Sequence, residues 1–101
     1  MDGNVEKSKF KVSREEVYGV IDGERAYQEL RWSPATTPTG GVRSVTEFLV
    51  YMKDYLDEAM NQVTRIADPQ ASALALHTIR KIAAMGVACM EQNGAPRRPD
   101  R

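Results

Sequence analysis

From Ser44 to Ile66 the apolar residues Val45, Phe48, Leu49, Met52, Leu56, Ala59, Val63 and Ile66 recur at three- and four-residue spacing. That is the pattern of one buried stripe along an α-helix. Ser44-Val45-Thr46-Glu47 opens it as an S-x-x-E capping box, in which Ser44 and Glu47 satisfy each other's backbone N–H groups. A second box, Ser13-Arg14-Glu15-Glu16, predicts a helix from about Arg14 to Arg31. Its apolar positions are Val17, Val20, Ile21, Tyr27 and Leu30, with Tyr18 alongside. Gly19 and Gly23 weaken it by roughly 1 kcal/mol each against Ala, which points to close helix packing or to a kink near Asp22-Gly23. A third helix is predicted from Asp68, placed as N-cap with Pro69 at the first helical position, to about Gln92. Ala75, Leu76, Ile79, Ile82, Ala83, Val87 and Met90 form its apolar side, and Asn93-Gly94 followed by Pro96 stops it. Ala83, Ala84, Gly86 and Ala88 keep one side small, which lets another helix approach closely.

Between the first two helices, Trp32-Ser33-Pro34-Ala35-Thr36-Thr37-Pro38-Thr39-Gly40-Gly41 reads as a long loop, because two prolines and a Gly-Gly pair forbid regular structure. Long loops in compact domains often carry function. No segment alternates with period two, so the fold class expected is all-α: an antiparallel bundle of three helices per chain. Residues 1–12 read as a disordered basic arm, 13–94 as the bundle domain and 95–101 as a basic tail. Helices two and three are apolar or small on more than one side. A homodimer or homotetramer, each chain lending those two helices to a four-helix core, would cover that surface.

A chain of 101 residues is one domain. Lys+Arg and Asp+Glu are 14 each, so bulk electrostatics argue against general nucleic-acid binding. The charge is unevenly placed: Lys7, Lys9 and Lys11 precede the first helix, and Arg97, Arg98 and Arg101 follow the last. Between residues 12 and 96 there are 8 basic and 11 acidic side chains, a mildly acidic body. The single Cys89, in the apolar run Ile82 to Met90, excludes an intrachain disulfide and reads as a buried, inert thiol. With one histidine, a Cys/His zinc site is excluded too. No stretch reads as a membrane span and no signal peptide is visible, so a cytoplasmic setting is expected.

Candidate chemistry lies on the polar faces. At roughly 100° per residue, Glu47, Asp54 and Glu58 fall close to one line on helix two, with Asp57 about a quarter-turn away. These acids make either a solvated face or a site for Mg²⁺ or Mn²⁺, which takes carboxylates and waters and bridges to phosphates. On helix three His77, Arg80 and Lys81 form a basic cluster, either solvated and ion-paired to helix-two acids or a phosphate clamp. Trp32 beside Arg31 is placed to stack on a base or to close the end of the bundle. No serine or cysteine has a recognisable base partner, and no glycine-rich loop follows a strand.

Glu24-Arg25-Ala26-Tyr27-Gln28-Glu29-Leu30-Arg31-Trp32 resembles the E-R-x-x-Q-x-x-[KR]-W run of small MazG-like, all-α nucleotide pyrophosphohydrolases. Lys53-Asp54-Tyr55-Leu56-Asp57 lies where that family carries E-E-x-x-E, and Thr78 to Ala84 resembles its third-helix segment. The end, Met90 to Arg97, resembles small phage-encoded proteins. The resemblance spans roughly Val20 to Arg97. It implies hydrolysis of nucleoside triphosphates to monophosphate and pyrophosphate, with the metal held by acids of two neighbouring helices. Asp54 and Asp57 would match two of those acids, whereas Lys53, Thr78 and Lys81 stand where the family has others. A lysine at such a position puts a cation where the metal must bind, and can instead neutralise a phosphate directly.

Three functions follow as expectations. In a pyrophosphohydrolase, Asp54, Asp57 and Glu58 are catalytic, Glu47, Asp54, Asp57 and Glu58 hold Mg²⁺ or Mn²⁺, and Gln28, Arg31, Trp32, His77, Arg80 and Lys81 bind the nucleotide. In a non-catalytic binder, Arg80, Lys81 and Trp32 hold an intact nucleotide or nucleotide signal. The third is a phage-type interaction module whose bundle meets a host protein.

Overall fold

The computed structural model describes residues 11–32, 41–65 and 70–100, and contains three helices and no strand among them: α1 (Arg14–Arg31), α2 (Val45–Arg65) and α3 (Ala71–Asn93). The arm before Lys11, the Pro/Thr-rich loop at 33–40, Ile66 and the Asp68-Pro69 start of the third helix lie outside the described residues. Both capping boxes form. Ser13 Oγ accepts from the Glu16 N–H at 3.0 Å, and Ser44 Oγ accepts from the Glu47 N–H at 3.1 Å while Glu47 accepts from the Ser44 N–H at 2.8 Å. At the same end of the bundle as the Ser44 box, Gly94 closes α3 at φ +112°, a conformation that favours glycine, with its N–H on the Met90 carbonyl.

α3 is the central helix: α1 and α2 both pack on it and not on each other. Its seam towards α2 is Ala71, Ala75, Thr78, Ile82, Met85 and Cys89, a 4-3-4-3-4 spacing. α2 answers with Phe48, Met52, Tyr55, Ala59 and Gln62 at the matching 4-3-4-3 spacing. Gln62 lies against Thr78, Met52 against Gly86 and Arg43 against Gln92, so the two helices run antiparallel. Ala84 and Ala88, both 0% exposed, lie about 100° around α3 from the centre of that seam. They give α3 a small, fully enclosed surface beside the residues Arg80, Lys81 and Glu91 that hold α1.

The single stripe expected on α2 is therefore two. Phe48, Met52 and Ala59 face α3, whereas Val45, Leu49, Leu56 and Val63 are 47–57% exposed together with Met60. Apolar residues at mixed three- and four-residue spacing fit two adjacent seams equally well, and α3 takes only one. The same holds on α3, where Leu76, Ile79 and Met90 are exposed and Thr78 and Met85 are buried. α1 departs further. Val17, Val20, Tyr27 and Leu30 are all exposed, and its one buried residue is Gln28. α1 docks on α3 largely through polar anchors: Glu24 to Arg80, Arg25 to Glu91, and Gln28 Nε2 donating to the Lys81 carbonyl at 3.1 Å.

Gly19 and Gly23 sit in an unbroken helix with nothing within 4 Å of the Cβ either would carry, so neither close packing nor a break explains them. Cys89 is a half-buried free thiol. α3 also carries an 18-residue window of mean hydropathy 1.3, enough by length and composition for a membrane span, contrary to the sequence expectation. In this fold it is the helix that both others cover.

Phe48 is fully enclosed, so Phe48→Ala is expected to lower the unfolding free energy by about 3–5 kcal/mol, measured by urea denaturation. The bonds from the Ser44 backbone N–H and hydroxyl, with a smaller contribution from Arg43, hold the Glu47 carboxyl below its ordinary 4.5. A depressed folded-state pKa adds stability that is present above the unfolded value and lost as pH falls through the folded one. Wild type should therefore lose more stability than Glu47→Gln between about pH 6 and about pH 3, read from denaturation midpoints at the two pH values.

Candidate functional site

Because α1 and α2 stand apart on α3, a cleft opens between them with α3 as its floor. It holds about 220 Å³ and is lined by Glu24, Tyr27, Gln28, Arg31 and Trp32 from the C-terminal half of α1 and its cap, Tyr55 from α2, and Lys81 and Met85 from α3. Four residues that the sequence marks as nucleotide ligands, Gln28, Arg31, Trp32 and Lys81, thus meet in one place. The i, i+4 pair Tyr27 and Arg31 is joined by a 3.0 Å bond from the guanidinium to the phenol oxygen, with the guanidinium 5.7 Å from the ring centroid.

Lys81 is the charged group of the floor. It is half-buried, its Nζ lies 5.8 Å from the centroid of Tyr55, and no carboxylate pairs with it among the described residues. Gln28 is 6% exposed, and its Oε1 is buried without a partner while its Nε2 is used on the Lys81 carbonyl. The cleft therefore presents a cation, an acceptor seeking a donor, and aromatic surface. Glu24 also lines it, but its carboxylate is engaged by Arg80 Nε at 2.7 Å.

His77 and Arg80 are not part of this cleft. They line a separate, mainly apolar groove of about 450 Å³ between the N-terminal half of α1 and α3, with Val17, Val20, Leu76 and Ile79. Adjacent residues on a helix point about 100° apart, so Arg80 and Lys81 serve different sides of α3. Arg80 pairs with Glu24 of α1, and not with an acid of α2. It also approaches His77 Nδ1 at 2.6 Å.

The acids expected to hold Mg²⁺ or Mn²⁺ do not converge as one set among the described residues. Glu47 is committed to its capping box. Asp54 and Asp57 border a shallow hollow with Val50, Tyr51 and Lys53, and Lys53 Nζ pairs with Asp57 at 3.0 Å. Glu58 lies 3.5 Å from the Thr78 hydroxyl, which donates to Gln62 Oε1 at 3.1 Å. Among the described residues no three His, Cys, Asp or Glu side chains converge as a metal set. Between α2 and α3 at this level stand Glu58, the neutral Thr78 and Gln62, and the cationic Lys81.

Tyr55, Tyr27 and Glu24 border the cleft without having been marked by the sequence, and Tyr51 and Arg43 lie next to it. Tyr51 and Tyr55, at i and i+4 between two apolar seams, were the available signal, since such a pair shares a helix face. Arg43 stands one residue before a capping box and is placed only by the fold. Gly41 fixes that segment. At φ +83° a Cβ there would lie 2.2 Å from the Trp32 carbonyl oxygen, and Gln92 clasps the Gly41 carbonyl and the Arg43 N–H, each at 2.9 Å. Comparison of the chain with protein-family models, curated proteins and solved structures finds no match.

Proposed function

We propose that this chain is a MazG-like helical bundle that binds an intact nucleotide in the cleft between α1 and α2, using a protein cation where the hydrolases use a metal. The observation that carries this reading is Lys81: a half-buried ammonium on the cleft floor, without a carboxylate, beside a tyrosine ring and below an unpaired amide oxygen. A phosphate supplies the missing anion. An exocyclic base amino group supplies a donor for Gln28 Oε1, and Tyr27, Trp32 and Tyr55 offer stacking surface. The resemblance of Glu24–Trp32 to the family's nucleotide-handling run supports the same assignment. The lack of a convergent set of three acids among the described residues and the Lys53–Asp57 pair support binding over metal-dependent hydrolysis.

Self-association is the second part of the proposal. Val45, Leu49, Leu56, Met60 and Val63 form a heptad-spaced apolar stripe on α2 that α3 leaves uncovered, and Leu76, Ile79 and Met90 do the same on α3. Stripes of like spacing suit a second copy of the chain.

Calorimetry against a panel of nucleoside triphosphates should show binding that persists in chelator and weakens with salt. Lys81→Glu should lower the affinity by about tenfold or more, the range of a charged hydrogen bond. Binding that requires Mg²⁺, with monophosphate and pyrophosphate appearing, would restore the hydrolase; binding indifferent to Lys81→Glu would remove this cleft from the proposal. By sedimentation, wild type should run as a dimer or tetramer and Leu56→Glu as a smaller species. A monomeric wild type would assign the apolar stripe to a different protein partner.

A further inference from the structure

One cation beside the cleft is enclosed by rings and still lacks an acceptor. The Arg43 guanidinium lies between Trp32 and Tyr51, its Cζ 4.8 Å and 5.0 Å from their ring centroids. Around it is a cavity of about 130 Å³ lined also by Phe48, Tyr55 and Met85. Its Nη1 is buried with no hydrogen-bond partner. The nearby Glu47 feels the charge of Arg43, but its carboxylate is taken by the Ser44 N–H. The main chain of Arg43 is clamped at both polar groups, by Gln92 and by Asn93, so the side chain is presented from a fixed point. Arg25 also has a buried unpartnered nitrogen, but it already holds two carboxylates, Glu29 and Glu91; Arg43 holds none.

A desolvated guanidinium N–H without an acceptor costs free energy that an anion recovers. With Trp32 and Tyr51 both against the guanidinium, the unpartnered Nη1 is the group left to take an anion. The cavity at Arg43 and the cleft at Lys81 share Trp32, Tyr55 and Met85 in their walls. Lys81 rests on Tyr55 and Arg43 on Tyr51, rings carried one helical turn apart, about 6 Å along α2.

We propose that Arg43 is a second anion subsite, so that the ligand of this cleft carries two linked anionic groups of the diphosphate type, one on Lys81 and one on the edge of Arg43. This rests on the cleft being a phosphate site and extends it. It makes Arg43 the residue that separates a diphosphate from a monophosphate, with the polyvalent charge met by two fixed cations and no bridging metal.

The test uses inorganic pyrophosphate and orthophosphate in chelator, with affinity from calorimetry and a local signal from Trp32, the chain's single tryptophan. Pyrophosphate should bind the wild type with a saturable change in Trp32 emission. Arg43→Gln should weaken it by about tenfold or more and weaken orthophosphate by clearly less, and Arg43→Lys, which keeps the charge but loses the planar fork, should fall between. Pyrophosphate affinity equal to wild type in either variant, or no pyrophosphate binding by the wild type, overturns the subsite. If Arg43→Gln does not fold, Arg43→Lys decides. A nucleoside diphosphate that binds no tighter than pyrophosphate, with the Arg43 dependence intact, leaves the subsite standing and overturns the nucleotide reading instead.

Discussion

The structure depends on α3 being packed from two sides by helices that do not pack on each other. Its α2 side is a heptad seam centred on Thr78 and Met85, and its α1 side is the pair of fully enclosed alanines, Ala84 and Ala88. Small residues there let α1 come down onto the backbone, close enough for Gln28 to reach the Lys81 carbonyl. That hydrogen bond joins fold to site, because the residue whose main chain anchors α1 is the one whose ammonium faces the cleft. A larger residue at 84 or 88 would lift α1, and with it Tyr27, Arg31 and Trp32, away from Lys81. The cleft is thus a product of packing: two helices share one floor and leave a gap the width of a side chain between them.

Much of this was legible in the residues. The capping boxes at Ser13 and Ser44 and the stop at Gly94 are chemical signals local to a few residues, and the helices begin and end where they indicate. Burial was less legible. Leu49 and Leu56 look as buried as Phe48 from spacing alone, and which is covered depends on the partner helix. Gln28 shows the opposite failure: a polar residue becomes the buried anchor of α1 because its amide meets a carbonyl, which no hydrophobic pattern encodes. On the site, Gln28, Arg31, Trp32 and Lys81, marked from motif and charge, line one cleft. His77 and Arg80, grouped with Lys81 because they lie about one turn from it, line the other groove.

The placement of charge gives the site its character. Each acid near the centre of the molecule already has work: Glu24 holds Arg80, Glu91 holds Arg25, and Glu47 caps α2. Of the other α2 carboxylates, Asp54 and Asp57 face an open hollow where Lys53 pairs with Asp57, and Glu58 lies at the Thr78 hydroxyl. The cations show the reverse. Among the described residues, Lys81 and Arg43 are held against rings without a carboxylate, and they line neighbouring cavities that share Trp32, Tyr55 and Met85. That distribution of charge is what supports the anion site proposed above.

A metal and a lysine do not solve the same problem. Mg²⁺ bound by carboxylates neutralises phosphate and also orders a water or polarises a phosphoryl oxygen, so binding and reaction come together. An ammonium on a tyrosine ring neutralises charge without offering an open coordination position, and it repels the ion that would. On the reading proposed above, Thr78 and Lys81 in place of facing carboxylates would therefore do more than weaken a hydrolase. It changes what the same concavity rewards, from a transition state stabilised through a metal to a ground-state anion held by fixed cations. Retention of an intact ligand is the outcome such an arrangement favours, because interactions that hold substrate and transition state equally tighten binding without speeding a reaction. The aromatic faces of Trp32, Tyr51 and Tyr55 add to this by holding the cations in place. Fixed cations lose little freedom when an anion arrives.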